Sequence, residues 1–302
     1  MVRSVPRFKG ARACTRGGPM PAFSIIMPAY RAETTISRAV RSVLSQSEPD
    51  WELIIISDDG ADYATQLAKE DLNDPRIRFG TTGKTGSGSS NARNAGHAKA
   101  TGRFVGPLDA DDAFHPQKLE RVREALSHGP LVSTGLQIVD GGGGYPRTVG
   151  VTGEDALLPA HRYKRTNLSM DSMLVWDREA VDIAYDPDLP CLVDLDLVMK
   201  AFEFTEAAFH LGAPLHLYYK QAVSISNGPG ASNKFSLTKQ RLIDRINTGH
   251  YRFADRLASQ SFVNFLTLSL SAEQDYPRAS GSKPGLLFED HLEARLSADS
   301  VA

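Results

Sequence analysis

The chain has 302 residues, of which 41% are hydrophobic and 23% charged, and a formal net charge of −2. That balance supplies a sizeable core, and it carries no strong field of the kind that draws a protein to nucleic acid or to an acidic membrane. Two cysteines, Cys14 and Cys191, exclude a disulfide framework, so a reducing, cytoplasmic setting is the expectation.

Residues 1–21 carry Arg3, Arg7, Lys9, Arg12 and Arg16 and no acid. They lack an apolar stretch, which excludes a secretory signal. A flexible basic leader is expected, with peripheral contact at the inner face of a membrane left open. Phe23 to Met27 reads as a short buried strand, stopped by Pro28. A helix follows from Glu33 to Gln46, where Ile36, Val40, Val43 and Leu44 recur at helical spacing. Trp51 to Ile56 is a second strand, apolar on both faces as in a covered parallel sheet, and it ends in Ser57-Asp58-Asp59-Gly60. Asp62 to Leu72 reads as a helix, Arg76 to Phe79 as a strand, residues 80–88 as a flexible glycine-rich loop, and Asn91 to Ala100 as a helix. The apolar run Phe104 to Leu108 is a strand, and Pro116 to Leu126 is a helix with Pro in its first turn. This alternation predicts a parallel sheet covered by helices, with ligands at the carboxyl ends of its strands.

The second half is less regular. Strands are expected at Leu131–Val139, Ser169–Trp176 and Pro214–Tyr219, and a helix at Leu192–Phe204. Gly228-Pro229-Gly230 breaks the chain, and Ser236 to Leu268 then reads as one helix. Its apolar positions Leu242, Ile246, Phe253, Leu257 and Phe262 suit packing on the domain, or a partner or membrane surface. The final twenty-odd residues read as poorly ordered. The expected division is a leader at 1–21, an α/β unit at 22–227 and a helical extension at 228–302 outside the catalytic core.

The chemistry concentrates in Leu108-Asp109-Ala110-Asp111-Asp112. In an extended backbone Asp109 and Asp111 point to one side. Such a cluster repels itself unless a cation joins it, and Mg²⁺ or Mn²⁺ with substrate phosphates would do so. An acidic turn capping the next helix is the alternative. Gly83-Lys84 is not a phosphate loop, because that motif needs a glycine where Arg78 stands. Asp194 and Asp196 open the helix from Leu192, diverging by about 200°. Either they complement the helix dipole, or one of them faces a cleft.

Six blocks taken in order resemble the inverting family 2 glycosyltransferases: Ser24-Ile25-Ile26-Met27-Pro28-Ala29-Tyr30; Ser42-Val43-Leu44-Ser45-Gln46; Glu52 to Gly60; Ala92-Arg93-Asn94-Ala95-Gly96; Gly102-Arg103-Phe104-Val105; and Leu108 to Asp112. The likeness continues more loosely through Val193 to Leu197 and Pro214 to Tyr219. It implies a GT-A fold: a Rossmann-like, mainly parallel mixed sheet flanked by helices, here with a helical C-terminal tail. It also implies a nucleotide-diphosphate sugar donor, of uridine type as the first choice, a carbohydrate or glycolipid acceptor in cell-surface polysaccharide or glycolipid synthesis, and Mn²⁺ or Mg²⁺ as cofactor. By the same resemblance Pro28, Tyr30 and Asp59 line the nucleoside pocket with Asp59 on the base, and Arg93 lies beside the nucleotide. Asp109 and Asp111 sit on the ribose and the metal–diphosphate, and Asp112 is a further metal ligand. Asp194 is the catalytic base. Two departures touch the acceptor side: Val193 replaces the family's glutamate, and Ala61-Asp62 replaces its serine-rich stretch. A nucleotidyltransferase is the competing enzyme class, but Pro28-Ala29-Tyr30-Arg31 stands where its glycine-rich loop belongs. A non-catalytic nucleotide-sugar binder would be expected to lack the Asp109 cluster or Asp194.

Overall fold

The computed structural model describes residues 20–139, 147–166, 173–220, 231–283, 286 and 288–299. The expected basic leader, the glycines at 141–144, the start of the strand at 169–176 and the 228–230 break lie outside the described residues. In chain order the elements are β1 (Phe23–Ala29), α1 (Ile36–Leu44), β2 (Trp51–Ser57), α2 (Tyr63–Lys69), β3 (Ile77–Thr81), α3 (Ser89–Lys99), β4 (Phe104–Pro107), β5 (Ala113–Phe114), α4 (Lys118–Ala125) and β6 (Leu131–Val139). They continue with β7 (Arg147–Val149), β8 (Ala156–Pro159), α5 (Tyr163–Thr166), β9 (Val175–Asp177), α6 (Val193–Ala201), β10 (Ala207–Tyr219), α7 (Ala231–Asn247), α8 (Ala258–Ser282) and α9 (Phe288–Asp299).

The strands form one mixed sheet in the order β3-β2-β1-β4-β9-β6-β10-β5, with β7 on β6 and β8 on β10. Pairings from β3 to β4 are parallel, and β9 runs antiparallel to both of its neighbours. From β1 the chain steps outward to β2 and β3, then returns to place β4 on the other flank. That reversal opens a crevice at the carboxyl ends of β1 and β4, where open α/β sheets bind ligands.

The alternation of β2 explains its apolar run. Leu53 and Ile55 face the layer of α1, α2 and α4, while Ile54 and Ile56 face the other side with α3, α6, α7 and α8. Each isoleucine buried this way is worth about 1.5–3 kcal/mol relative to exposure. Helix α3 lies close on β1 because Gly96 is at the crossing. A Cβ there would stand 2.4 Å from Ile26 Cγ2, so any side chain would push away the helix that carries Arg93.

The C-terminal segment differs from expectation in two ways. It forms two helices where one was read, because α7 ends on Gly249 at φ 73°. Gly249 N–H donates to the Ile246 carbonyl and His250 N–H to the Arg245 carbonyl, a reciprocal cap that closes the helix end. The expected irregular end contains α9. The segment packs on the α/β unit, as its apolar spacing suits. Leu242, Ile246, Phe262 and Leu266 share one buried cluster with Leu195, Val198 and Phe202 from α6 and its end.

Candidate active site

The ends of β1 and β2 build one wall of the crevice. Pro28 is half-buried near the end of β1, and Tyr30 follows it 47% exposed. The Tyr30 ring lies near Gly86, its Cε2 4.0 Å from where a Cβ on that glycine would stand, and under the Arg31 guanidinium, 5.2 Å from its carbon. Asp59 accepts from Arg31 N–H at 2.5 Å, Tyr63 O–H at 2.7 Å, and Ser57 O–H and Ala61 N–H at 3.0 Å. Burial alone would raise its pKa, yet these donors outweigh it and hold the carboxyl at about 2. Four donors match the roughly four lone-pair positions of a carboxylate. A base that contacts Asp59 must therefore exchange with one of them.

Asp58, given no role above, fixes the neighbouring loop. Its carboxylate accepts from Thr82 O–H at 2.7 Å, Ser87 N–H at 3.1 Å, Ser87 O–H at 2.5 Å and Gly88 N–H at 2.8 Å. The loop expected to be flexible is thus tied to the end of β2 by one buried side chain.

Arg93 ties the site together. It rises from the first turns of α3, 4% exposed, and donates to Asp109 Oδ1 at 2.6 Å. Its other terminal nitrogen stands 3.6 Å from Asp194 Oδ1. Burial works against a charge here, but Asp109 and Asp194 outweigh it and keep the guanidinium more firmly protonated than usual. The carboxylate at the end of β4 and the one at the head of α6 thus share a single cation. Tyr185 lies beneath that cation, its ring 5.1 Å from the guanidinium carbon. Asn94 anchors Tyr185 by bonding both its backbone N–H and its carbonyl, at 2.9 and 2.8 Å. Just before α6, Leu192 takes φ 55°, a conformation that costs a non-glycine residue about 1–2 kcal/mol.

Asp111 is part-buried, its carbonyl held by Arg38 at 2.6 Å. Burial and the charge of Asp109 push its carboxyl pKa up. Like charges in that arrangement are what a cation relieves, and an open set of one or two carboxylates suits Mg²⁺ or Mn²⁺ completed by phosphate oxygens. Among the described residues no three His, Cys, Asp or Glu side chains form a closed cage. Asp112, read from the sequence as a further ligand, does not join Asp111. It is 1% exposed and turns inward, meeting His216 Nε2 and accepting from Tyr219 N–H, both at 3.1 Å. His216 Nδ1 in turn meets Lys118 Nζ at 3.0 Å. Burial drives the Asp112 carboxyl pKa up and that of the Lys118 amine down to about 7.

The two carboxylates of α6 separate as their spacing requires. Asp194 faces Arg93. Asp196 is fully buried on the other side, against Tyr251 O–H at 2.5 Å, Lys200 at 2.6 Å and Arg245 at 3.2 Å. Sequence reasoning passed over Asp58, Tyr185, Arg38, His216 and Lys118. Asp58 carried a signal, since it stands beside Asp59 at a strand end. Tyr185 lies in an irregular stretch with none.

Solved structures with this fold include TarS of S. aureus in complex with UDP-GlcNAc, at TM-score 0.64 and 17% identity, covering 92% of this chain and 80% of that one. Another is the mannosyltransferase PcManGT from Pyrobaculum calidifontis in complex with GDP-Man and Mn²⁺, at TM-score 0.57 and 13% identity, covering 94% and 87%. At such identity the likeness shows the fold, which is GT-A. In sequence, the UDP-Glc:alpha-D-GlcNAc-diphosphoundecaprenol beta-1,3-glucosyltransferase WfgD of Escherichia coli is 42% identical over 97 residues, 32% of this chain and 38% of that protein. The putative teichuronic acid biosynthesis glycosyltransferase TuaG of Bacillus subtilis is 37% identical over 107 residues, 35% and 42% of the two chains. The chain spans less than half the length of these curated relatives. The glycosyl transferase family 2 model matches residues 24–174, half of the sequence, and the chain belongs to that family.

Proposed function

We infer that the protein is an inverting glycosyltransferase that moves a sugar from a nucleotide-diphosphate donor, UDP-linked as the first choice, to a hydroxyl of a carbohydrate or glycolipid acceptor in surface-polysaccharide assembly. The observation that carries the reading is Arg93, which brings Asp109 of the nucleotide side and Asp194 of the α6 side to one guanidinium. A uridine donor is supported by the relative named for UDP-Glc and the neighbour solved with UDP-GlcNAc.

In this reading Tyr30 and the loop pinned by Asp58 flank the nucleoside, with Pro28 and Asp59 behind them. Asp194 accepts the proton of the acceptor hydroxyl, whose oxygen attacks the anomeric carbon from the face opposite the diphosphate. The bond to the diphosphate breaks in the same displacement, so the configuration inverts. Mn²⁺ or Mg²⁺, held by Asp111 with Asp109 beside it, supplies charge neutralisation for the leaving diphosphate when bound. Residues 22–227 carry the donor and base groups, and 228–302 brace α6 from behind.

Calorimetry of UDP binding with Mn²⁺ and with chelator tests the donor side. Clear binding that strengthens with the metal is expected. No binding of UDP, GDP or their sugars under either condition would overturn the reading.

A further inference from the structure

Directly behind Arg93 is a small, partly enclosed cavity of about 10 Å³, which is about the room one water molecule occupies. Its walls include Arg93 and His97, one turn apart on α3, Trp176 of β9 and Tyr185, with Ile26 and Val105 as apolar floor. Each of the four polar side chains turns one buried atom to no protein partner among the described residues: Arg93 Nε, His97 Nε2, Trp176 Nε1 and the Tyr185 hydroxyl. Arg93, Trp176 and Tyr185 are 4%, 2% and 6% exposed. Buried polar groups without a partner are rare, and four around one small cavity call for a shared ligand.

We propose that this cavity is a binding site for one ordered water, held by these four groups, and that the water is the rear support of Arg93. The valences match. Arg93 Nε–H and Trp176 Nε1–H can only donate. Burial, followed by the charge of Arg178, depresses the pKa of His97 to about 4, so its neutral ring offers an acceptor. The tyrosine hydroxyl supplies the fourth contact. A water accepts two bonds and donates two, which fills the set. Charge also selects a neutral ligand. The guanidinium already faces Asp109 and Asp194, so an anion would add a third negative charge and a cation would meet Arg93 itself. With the terminal nitrogens facing the two carboxylates and Nε tied to the water, the guanidinium plane has no freedom to tilt. This positioning role rests on the reading of Arg93, Asp109 and Asp194 as the reaction centre.

A crystal structure of the full chain, at a resolution that orders internal waters, tests the site. One peak within about 2.7–3.2 Å of the four atoms is expected. No peak, with the four groups paired among themselves, overturns the proposal. So does a peak that gives an anomalous signal after bromide soaking, which marks a halide. This result does not depend on the protein being a transferase, which nucleotide binding tests separately. The variant Trp176→Phe removes one donor and keeps most of the packing. It should lose the peak and lower kcat about tenfold with the donor KM unchanged, as expected when a reacting group is slightly misplaced. A folded Trp176→Phe that has lost the water and keeps wild-type kcat overturns the positioning role.

Discussion

The acidic clusters at the end of β4 and at the head of α6 solve one problem by different backbones. In each, one carboxylate stays at the crevice and another is taken into the core. After β4 a turn does this, so that Asp111 stays part-exposed while Asp112, the next residue, turns to His216 and the buried Lys118. On α6 the helical repeat does it, sending Asp194 to Arg93 and Asp196 to Tyr251, Lys200 and Arg245. Acidic residues close in sequence are therefore not equivalent ligands. The buried member fixes the element, and the other stays at the crevice, where the proposed reading puts the chemistry.

Removing a partner of the buried member tests this division most heavily. Arg245→Ala should cost stability near the lower end of the roughly 3–5 kcal/mol seen when a buried ion pair is broken, since Lys200 remains beside Asp196. Chemical unfolding measures it, and a loss below about 1 kcal/mol, the range of a surface pair, would contradict the core role of Asp196. For the same reason a chain cut before α7 should fail to fold, because it would also expose the cluster shared with α6.

The contrast between neighbours sharpens the β4 end. Asp111→Asn should weaken Mn²⁺-dependent UDP binding by about tenfold or more, because a neutral ligand replaces a charged one. Asp112→Asn should leave that dependence nearly unchanged and instead lower stability. Calorimetry with metal and with chelator separates the two variants. Equal losses of metal-dependent affinity would put both residues at the metal.

How far the sequence anticipated this arrangement follows from how local each feature is. Short apolar runs and helical spacing placed β1, β2, β6 and α1, and the strand ends placed Asp59 and Asp109. The 200° divergence of Asp194 and Asp196 needed only the helical repeat. What stayed hidden is non-local. His216 meets Lys118 across 98 residues and Asp112 across 104, and Asn94 holds Tyr185 across 91. No periodicity within one segment encodes such meetings. The break at Gly249 was missed because Phe253, Leu257 and Phe262 extend the apolar spacing past it, although they follow the turn that closes α7.

A smaller effect concerns Asp59. The Asp59 carboxyl has a pKa of about 2 in the folded protein, below its ordinary 3.8. Between these values the unfolded chain binds more protons, so stability falls as pH falls. The contribution of Asp59 is complete above about pH 4 and lost through about pH 2. Asp59→Asn should flatten the acid limb of the stability curve over that window. An unchanged limb would show that the four donors do not hold the carboxylate as described.

The central claim is that donor binding and proton removal lie on separate carboxylates joined through Arg93. Asp194→Asn keeps the shape of the side chain and removes its basicity, so one variant assayed for both properties gives the most direct test. The account predicts UDP affinity close to wild type by calorimetry and sugar transfer reduced by about a hundredfold or more. Transfer at the wild-type rate by a folded Asp194→Asn protein would contradict it.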